Sequence, residues 1–196
     1  MAEQNLNKIF LSASIPYPER DKRFYDTADI IAIRDAVRAL ATVVIPKSHL
    51  VWGGHPSITP LIRYVMERMN FDVKSHISIY QSLFFEERFP KDNFAFENII
   101  LTPKLGTQDE SLELMRISML NDNDFKAGIF IGGMEGIIDE FEVFKKYNPK
   151  ASVLPVASTG AAAKIIFQNA SEEFNPKLET DFAYMALFSD LLSEIL

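Results

Sequence analysis

Short apolar stretches alternate with segments of helical periodicity along most of the chain. The apolar stretches are rich in β-branched and aromatic residues, and most of them end in small residues or in proline, which is typical of buried strands. They predict six strands, at residues 8–14, 49–54, 75–80, 97–102, 127–131 and 152–157.

The segments between these stretches carry apolar residues at intervals of three and four, the spacing of one helix face. Ile58, Ile62 and Val65 belong to the most regular of these patterns. Because strands that alternate with helices pair in parallel through crossover connections, we predict an α/β fold with a doubly wound, mainly parallel sheet and helices on both faces. The predicted helices span residues 27–41, 58–69, 108–120, 134–147 and 178–196, and a further one follows Gly160.

No stretch is long or polar enough to mark a domain boundary, so residues 1–196 are expected to form a single domain. Residues 80–96 form an aromatic-rich insert, which could cover a pocket, form a subunit interface, or be a loop held to the core by its aromatic side chains. The predicted helix at 178–196 is apolar around more than one face, and one face is enough to cover the sheet. We therefore expect a homodimer or a larger homo-oligomer.

The charge balance restricts the partners of the chain. It has 20 Lys and Arg residues against 27 Asp and Glu, a net charge of −7, and no Cys. An acidic protein lacks the basic surface of a non-specific nucleic-acid binder, so we expect no nucleic-acid partner. Apolar runs fall short of the roughly 18 residues that a membrane helix needs, so we expect no membrane partner and a cytoplasmic location.

Four predicted strands end in turns of small residues. Since the carboxyl ends of parallel strands meet at one edge of a sheet, these turns are expected to border one ligand cleft. Glycine lets the backbone approach a ligand, and a helix N-terminus offers free N–H groups, so the two together suit phosphate. The alternative is that such turns need small residues for packing alone. The candidate ligand-binding residues here are Ser12, Ser14, Gly53, Gly54, His55, Gly132, Gly133, Ser158, Thr159 and Gly160.

The segment that follows the fifth predicted strand gives the strongest local signal. Gly136 and Glu140 are four residues apart and therefore share one face of the predicted helix near its N-terminus. Gly136 leaves room for a ligand, and Glu140 could bind sugar hydroxyls, as acidic residues do in dinucleotide sites. The alternative is a solvent-exposed carboxylate. Met134 and Glu135 complete the candidate segment.

Arg116 is the only cation in residues 111–120. Its guanidinium could bind phosphate through two parallel hydrogen bonds, or it could pair with a carboxylate at the surface. The three histidines show no spacing typical of a metal site, so neither a metal nor a cofactor is predicted.

In this order, the motifs resemble the SLOG superfamily of Rossmann-like domains, which includes the Lonely-guy cytokinin-activating enzymes. The chain is most similar to the SLOG sensor domain of the sirtuin-type effector in Thoeris antiviral defence. The resemblance covers nearly everything except the insert and the tail. It is carried by residues 9–14, the Gly53–Gly54 turn, Arg116, residues 136–140 and residues 153–160.

Lonely-guy enzymes carry a PGGxGTxxE motif preceded by an arginine. The resemblance implies that Arg116 and Glu140 would be the catalytic pair if this chain is an enzyme. Ile131 stands in place of the proline, one residue is added before Gly136, and Ile137 replaces the threonine that helps to hold phosphate.

The resemblance therefore implies a sensor of a nucleotide-derived ligand, an NAD-derived or cyclic nucleotide signal, in bacterial antiviral defence. A separate effector protein could take part. The alternatives are a nucleotide N-glycosidase of the phosphoribohydrolase type and a structural subunit with a vestigial pocket.

Overall fold

The structure, a computed structural model, describes residues 6–70 and 72–196. Its strands are β1 (Lys8–Ser14), β2 (His49–Trp52), β3 (Ile77–Ser82), β4 (Asn98–Thr102), β5 (Phe125–Gly132) and β6 (Ser152–Val156). They form one sheet in the order β4-β3-β2-β1-β5-β6, and every neighbouring pair is parallel. The predicted α/β fold with a parallel sheet is confirmed.

Helices cover both faces of the sheet, as the alternating pattern predicts. Those on one face pack around α2 and those on the other around α5, so the sheet is doubly wound in a Rossmann-like manner. The helices are α1 (Lys22–Tyr25), α2 (Ile30–Val44), α3 (Thr59–Met66), α4 (Gln108–Asn121), α5 (Glu135–Tyr147), α6 (Ala161–Asn169), α7 (Lys177–Thr180) and α8 (Tyr184–Leu191).

The two faces of β1 show why its residues 9–11 are apolar without alternation. Ile9 and Leu11 point into the core under α2, and Phe10 points into the opposite core, where its ring stacks on that of Phe144 with 5.4 Å between centroids. A parallel strand covered on both sides needs apolar residues throughout rather than an alternating pattern.

The direction of winding reverses between β1 and β5. From β1 the chain moves outward through β2 and β3 to β4, and α4 then carries it back to β5 on the other side of β1. Ser14 and Gly132 are paired in register at the ends of these two strands. In open parallel sheets a ligand crevice forms beyond the carboxyl ends of the strands at such a switch point.

The aromatic-rich insert begins later than the sequence indicates. Residues 80–82 belong to β3, and the remainder forms two short 3₁₀ turns, Leu83–Arg88 and Lys91–Ala95. Asn93 ties the second turn to the sheet, because its side-chain amide donates to Gln81 Oε1.

The prediction of one C-terminal helix over residues 178–196 is wrong. The tail folds as α7 and α8, and the chain between them is not helical. The Asp181 carboxylate accepts a hydrogen bond of 2.7 Å from the Ala183 N–H, a local bond that competes with the helical pattern. Among the helices within the described ranges, none has the length and apolar character that crossing a membrane requires.

Candidate functional site

A cavity of about 460 Å³ lies beyond the carboxyl ends of β1, β2 and β3, and α4 and α5 complete its wall. Its position next to the switch point agrees with the cleft that the sequence predicts. The predicted site residues that line it are Ser14, Gly53, Gly54, His55, Arg116, Met134, Glu135, Gly136 and Glu140.

A buried polar cluster forms part of the wall. The Ser12 hydroxyl donates a hydrogen bond of 2.6 Å to Glu140 Oε2, although Ser12 itself does not line the cavity. Arg116 Nε lies 3.7 Å from Glu140 Oε1, and Arg116 Nη1 lies 3.1 Å from Asp139 Oδ2. The side chains of Arg116 and Glu140 are 16% and 15% exposed. The cluster thus joins β1, α4 and α5 through side chains far apart in sequence.

The environment of Glu140 raises the pKa of its carboxyl. Burial, the largest effect, raises the pKa of this carboxyl, whereas the Arg116 charge and the Ser12 hydroxyl lower it in part. The carboxyl therefore keeps its proton to a higher pH than an exposed glutamate does. Such a group can accept hydrogen bonds from a ligand or transfer a proton.

Gly136 makes room for the Arg116 guanidinium. A Cβ at this position would lie 2.9 Å from Arg116 Nη2, so the missing side chain lets the guanidinium rest on the first turn of α5. A cation at a helix N-terminus is unfavourable, because that end carries a partial positive charge. The carboxylates of Asp139 and Glu140 offset this cost.

The two glycines that end β5 close the sheet edge rather than face the cavity. Gly132 and Gly133 have φ of 58° and 82°, the left-handed region that glycine adopts without strain. The Gly133 N–H donates to the Ser14 carbonyl at 2.9 Å, and the Gly132 N–H donates to Thr159 Oγ1 at 2.9 Å. The Ile137 side chain fills the space that a Cβ on Gly133 would need.

The turn after β6 does not reach the cavity, so the predicted placement of Ser158, Thr159 and Gly160 in the cleft is wrong. The reason is that the loop before α2 covers this turn. The Asp29 N–H donates to the Thr159 carbonyl, and a Cβ on Gly160 would overlap the carbonyl of Thr27.

The side chains of this covered turn hold the fold together. Thr159 is fully buried, and its hydroxyl donates to the Val156 carbonyl at 2.6 Å while accepting from Gly132. Ser158 Oγ lies 3.1 Å from the Tyr184 hydroxyl of α8.

His55 is neutral in the cavity wall. Its Nδ1 accepts a hydrogen bond from the Ser57 N–H at 3.2 Å, so the proton of the neutral ring resides on Nε2. Burial lowers the pKa of His55 to about 4. His55 can therefore offer a ligand an uncharged ring but not a cation near neutral pH.

Several residues that line the cavity are not predicted from the sequence. Tyr17 and Arg20 come from the loop after β1, where no residue pattern signals a site. Phe85, Arg88 and Phe89 come from the insert, whose aromatic content is the one signal that could have found them. Of the alternatives for the insert, the geometry therefore favours the pocket cover.

Within residues 6–70 and 72–196, the structure brings together no group of three or more His, Asp or Glu side chains able to hold a metal ion.

Comparison with known proteins gives a family and a fold. A family model described as the SLOG cluster3 family matches residues 23–192. Among solved structures the chain is similar to TM1055, an X-ray structure from a structural genomics consortium, with 16% sequence identity and a TM-score of 0.55. That alignment covers 83% of this chain and 81% of the other, and at such low identity it shows the fold alone. No curated protein matches the chain.

Proposed function

The chain belongs to the SLOG cluster3 family, and from this premise we propose that its cavity binds a nucleotide-derived ligand and that the protein is a sensor. The ligand class is an NAD-derived or cyclic nucleotide signal, and the setting is bacterial antiviral defence. The observation that carries the proposal is the largely buried cluster of Ser12, Arg116 and Glu140, in which Arg116 and Glu140 line the cavity at the switch point of the sheet.

The cavity offers the interactions that a nucleotide needs. Its volume of about 460 Å³ lies in the range of small-molecule sites. Phe85 and Phe89 supply apolar surface for a base, and Glu140 supplies acceptors for sugar hydroxyls. Three arginines line the cavity against two glutamates, so the local balance is cationic in a chain whose net charge is −7.

The turn after β5 departs from the Lonely-guy motif, and these departures favour ligand sensing over hydrolysis. Ile137 stands where that motif has a phosphate-binding threonine, and its apolar side chain packs beside Gly133. A side chain without a hydroxyl cannot hold phosphate there. Binding without turnover is the expected result.

An N-glycosidase of the phosphoribohydrolase type is the second candidate, and one observation favours it. The raised pKa of Glu140 lets this carboxyl keep its proton to a higher pH than an exposed glutamate does, beside a guanidinium that could orient a ligand. In such an enzyme Glu140 would exchange a proton during replacement of the base by water at the sugar carbon, and Arg116 would position the reacting groups.

Titration of the full chain with AMP, NAD, ADP-ribose and cyclic AMP tests the proposal, with calorimetry for binding and chromatography for released base. We expect at least one probe to bind and none to be cleaved. The proposal fails if none binds with a Kd below roughly 1 mM, about −4 kcal/mol. Base release that requires Glu140 would establish the enzyme instead.

Glu140→Gln separates the two candidates further. In a sensor this substitution changes only the ligand affinity that the titration measures. In an enzyme that transfers a proton through Glu140, it preserves ligand affinity while turnover falls roughly 100-fold or more. Glu142→Gln is the matched control, because Glu142 lies on the same helix, is exposed and does not line the cavity.

Self-association, an effector partner and a cytoplasmic location belong to the same proposal. The tail leaves Phe182 and Met185 60% and 49% exposed, which supports contact with a second copy. Light scattering at micromolar concentration should give a mass above the 22.3 kDa of one chain. A monomer would contradict the oligomer and leave the ligand proposal standing.

A further inference from the structure

The three arginines of the cavity differ in how far their charges are already offset. Arg116 has the carboxylates of Asp139 and Glu140 beside it, at 3.1 Å and 3.7 Å. A phosphate placed on this guanidinium would stand next to both carboxylates and be repelled by them. Arg116 is therefore a poor phosphate ligand, although phosphate binding is one of the roles that the sequence leaves open for it.

The glycine turn after β5 is a poor phosphate site as well. The N–H groups of Gly132 and Gly133 donate to Thr159 and Ser14 within the protein. These two donors are thus already bonded within the protein, and the Arg116 guanidinium rests on the first turn of α5 that follows them. The adjoining Ile137 side chain is apolar.

Arg20 and Arg88 differ from Arg116, because no carboxylate of the described residues pairs with either of them. Within the described part of the chain neither side chain makes an ion pair or a side-chain hydrogen bond, and both are exposed, at the open side of the cavity. Arg20 lies in the loop after β1 and Arg88 in the insert after β3. Because β2 lies between these strands in the sheet, the two loops flank the β2 turn from opposite sides.

The carboxylates near these two arginines in sequence do not face the cavity. Asp21 pairs with Arg23 at 2.6 Å, and the cavity wall contains none of Glu19, Asp21, Glu86 and Glu87. Glu135, at the start of α5, is the one acidic lining residue outside the buried cluster. The cavity wall thus offers an anion two exposed guanidiniums and few competing charges.

We propose that Arg20 and Arg88 bind the phosphate of the nucleotide at the mouth of the cavity, with its sugar hydroxyls toward Glu140. This inference rests on the proposed function and adds an orientation to it, sugar inward and phosphate outward. Phosphate recognition then lies in the loop after β1 and in the insert after β3, outside the glycine turns.

Pairs of nucleosides and nucleotides test this orientation. Adenosine, guanosine, cytidine and uridine are each compared with their 5′-monophosphates by calorimetry, on wild type, Arg20→Gln, Arg88→Gln and the double variant. Wild type should prefer at least one monophosphate over its nucleoside roughly tenfold or more, the size of one charge-assisted bond. The double variant should lose this preference while nucleoside affinity stays within about twofold, and its phosphate affinity should depend less on salt.

Arg23→Gln is the matched control, because Arg23 is exposed nearby, pairs with Asp21 and does not line the cavity. Equal wild-type affinity for nucleosides and nucleotides overturns the orientation and leaves the proposed function intact. A preference that survives in the double variant, or that disappears in Arg116→Gln instead, also overturns it. Absence of binding by every one of these probes overturns this inference, and the proposed function falls with it only if NAD, ADP-ribose and cyclic AMP fail to bind as well.

Discussion

Two neighbouring turns of this molecule look alike in sequence and differ in role. The turns after β5 and β6 each lead a buried strand through glycine into a helix, and each glycine has a positive φ. The chain after Gly133 borders the cavity, whereas the turn at Gly160 is covered by the loop before α2. A glycine turn at the correct sheet edge can therefore border a cavity only where no other loop packs over it.

The largest expected effect comes from a side chain added to the covered turn. Gly160 has φ of 73°, and a Cβ there meets the backbone of the Thr27–Ala28 loop, which cannot move as a flexible side chain would. Gly160→Ala should therefore lower the free energy of unfolding by about 3 kcal/mol or more, from conformational strain and overlap together. Urea denaturation measures this loss. A loss below about 1 kcal/mol would show that the two segments are not packed as described.

The next effect concerns the bond that joins the two turns. Thr159→Val keeps the shape of the side chain and removes the hydroxyl that accepts from the Gly132 N–H. Leaving that buried donor without a partner should cost about 2 kcal/mol of unfolding free energy. Thr159→Ser keeps the hydroxyl and is the control. Nucleotide affinity should change less than twofold in both, and a specific loss of affinity would return Thr159 to the binding site.

At the turn that borders the cavity, an added methyl group should act on binding rather than on stability. Gly136→Ala places a Cβ 2.9 Å from Arg116 Nη2 and pushes the guanidinium away from Glu140. Alanine favours a helix over glycine by about 1 kcal/mol, which offsets much of the strain. We expect nearly unchanged stability and a roughly tenfold weaker affinity, about 1.4 kcal/mol, for the nucleotide that binds wild type best.

Calorimetry and urea denaturation of the same Gly136→Ala sample separate these two effects. Loss of stability with intact affinity would reverse the assignment of roles to the two turns.

The smallest effect is a change in the pH dependence of stability. Because burial raises the pKa of Glu140, the folded protein binds this proton more tightly than the unfolded chain. Its contribution to stability is present below the ordinary carboxyl pKa and is lost as pH rises through the raised value. Glu140→Gln should therefore gain stability relative to wild type as pH increases over this window. Glu142→Gln should follow wild type throughout, and parallel curves for Glu140→Gln and wild type would contradict the pKa direction.

The site shows where sequence reasoning succeeds and where it ends. The four-residue spacing of Gly136 and Glu140 places both on one face of α5, and both line the cavity in the structure. Arg20 carries no comparable signal, because its position at the cavity depends on how the loop after β1 folds back over the sheet. Loops lack the periodicity that relates residue spacing to a shared face.

The sequence by itself determines the sheet, its parallel strands and the edge at which ligands can bind. Apolar runs and helical spacing are local patterns that predict strands and helices. Because strands that alternate with helices pair in parallel through crossover connections, the order of these elements also predicts the topology. The tail shows the limit of this reasoning, since Asp181 interrupts a pattern that periodicity alone continues to the end of the chain.

Only the tertiary structure decides which turns remain open. The hydrogen bond between Thr27 and Ala161 spans 134 positions and closes the turn after β6, and the Ser12–Glu140 bond spans 128 and builds the polar cluster. Such contacts form after distant segments pack together, and no local pattern in either segment specifies its partner. The physical reason is that backbone preferences act over a few residues, whereas the cavity is the space that long-range packing leaves unfilled.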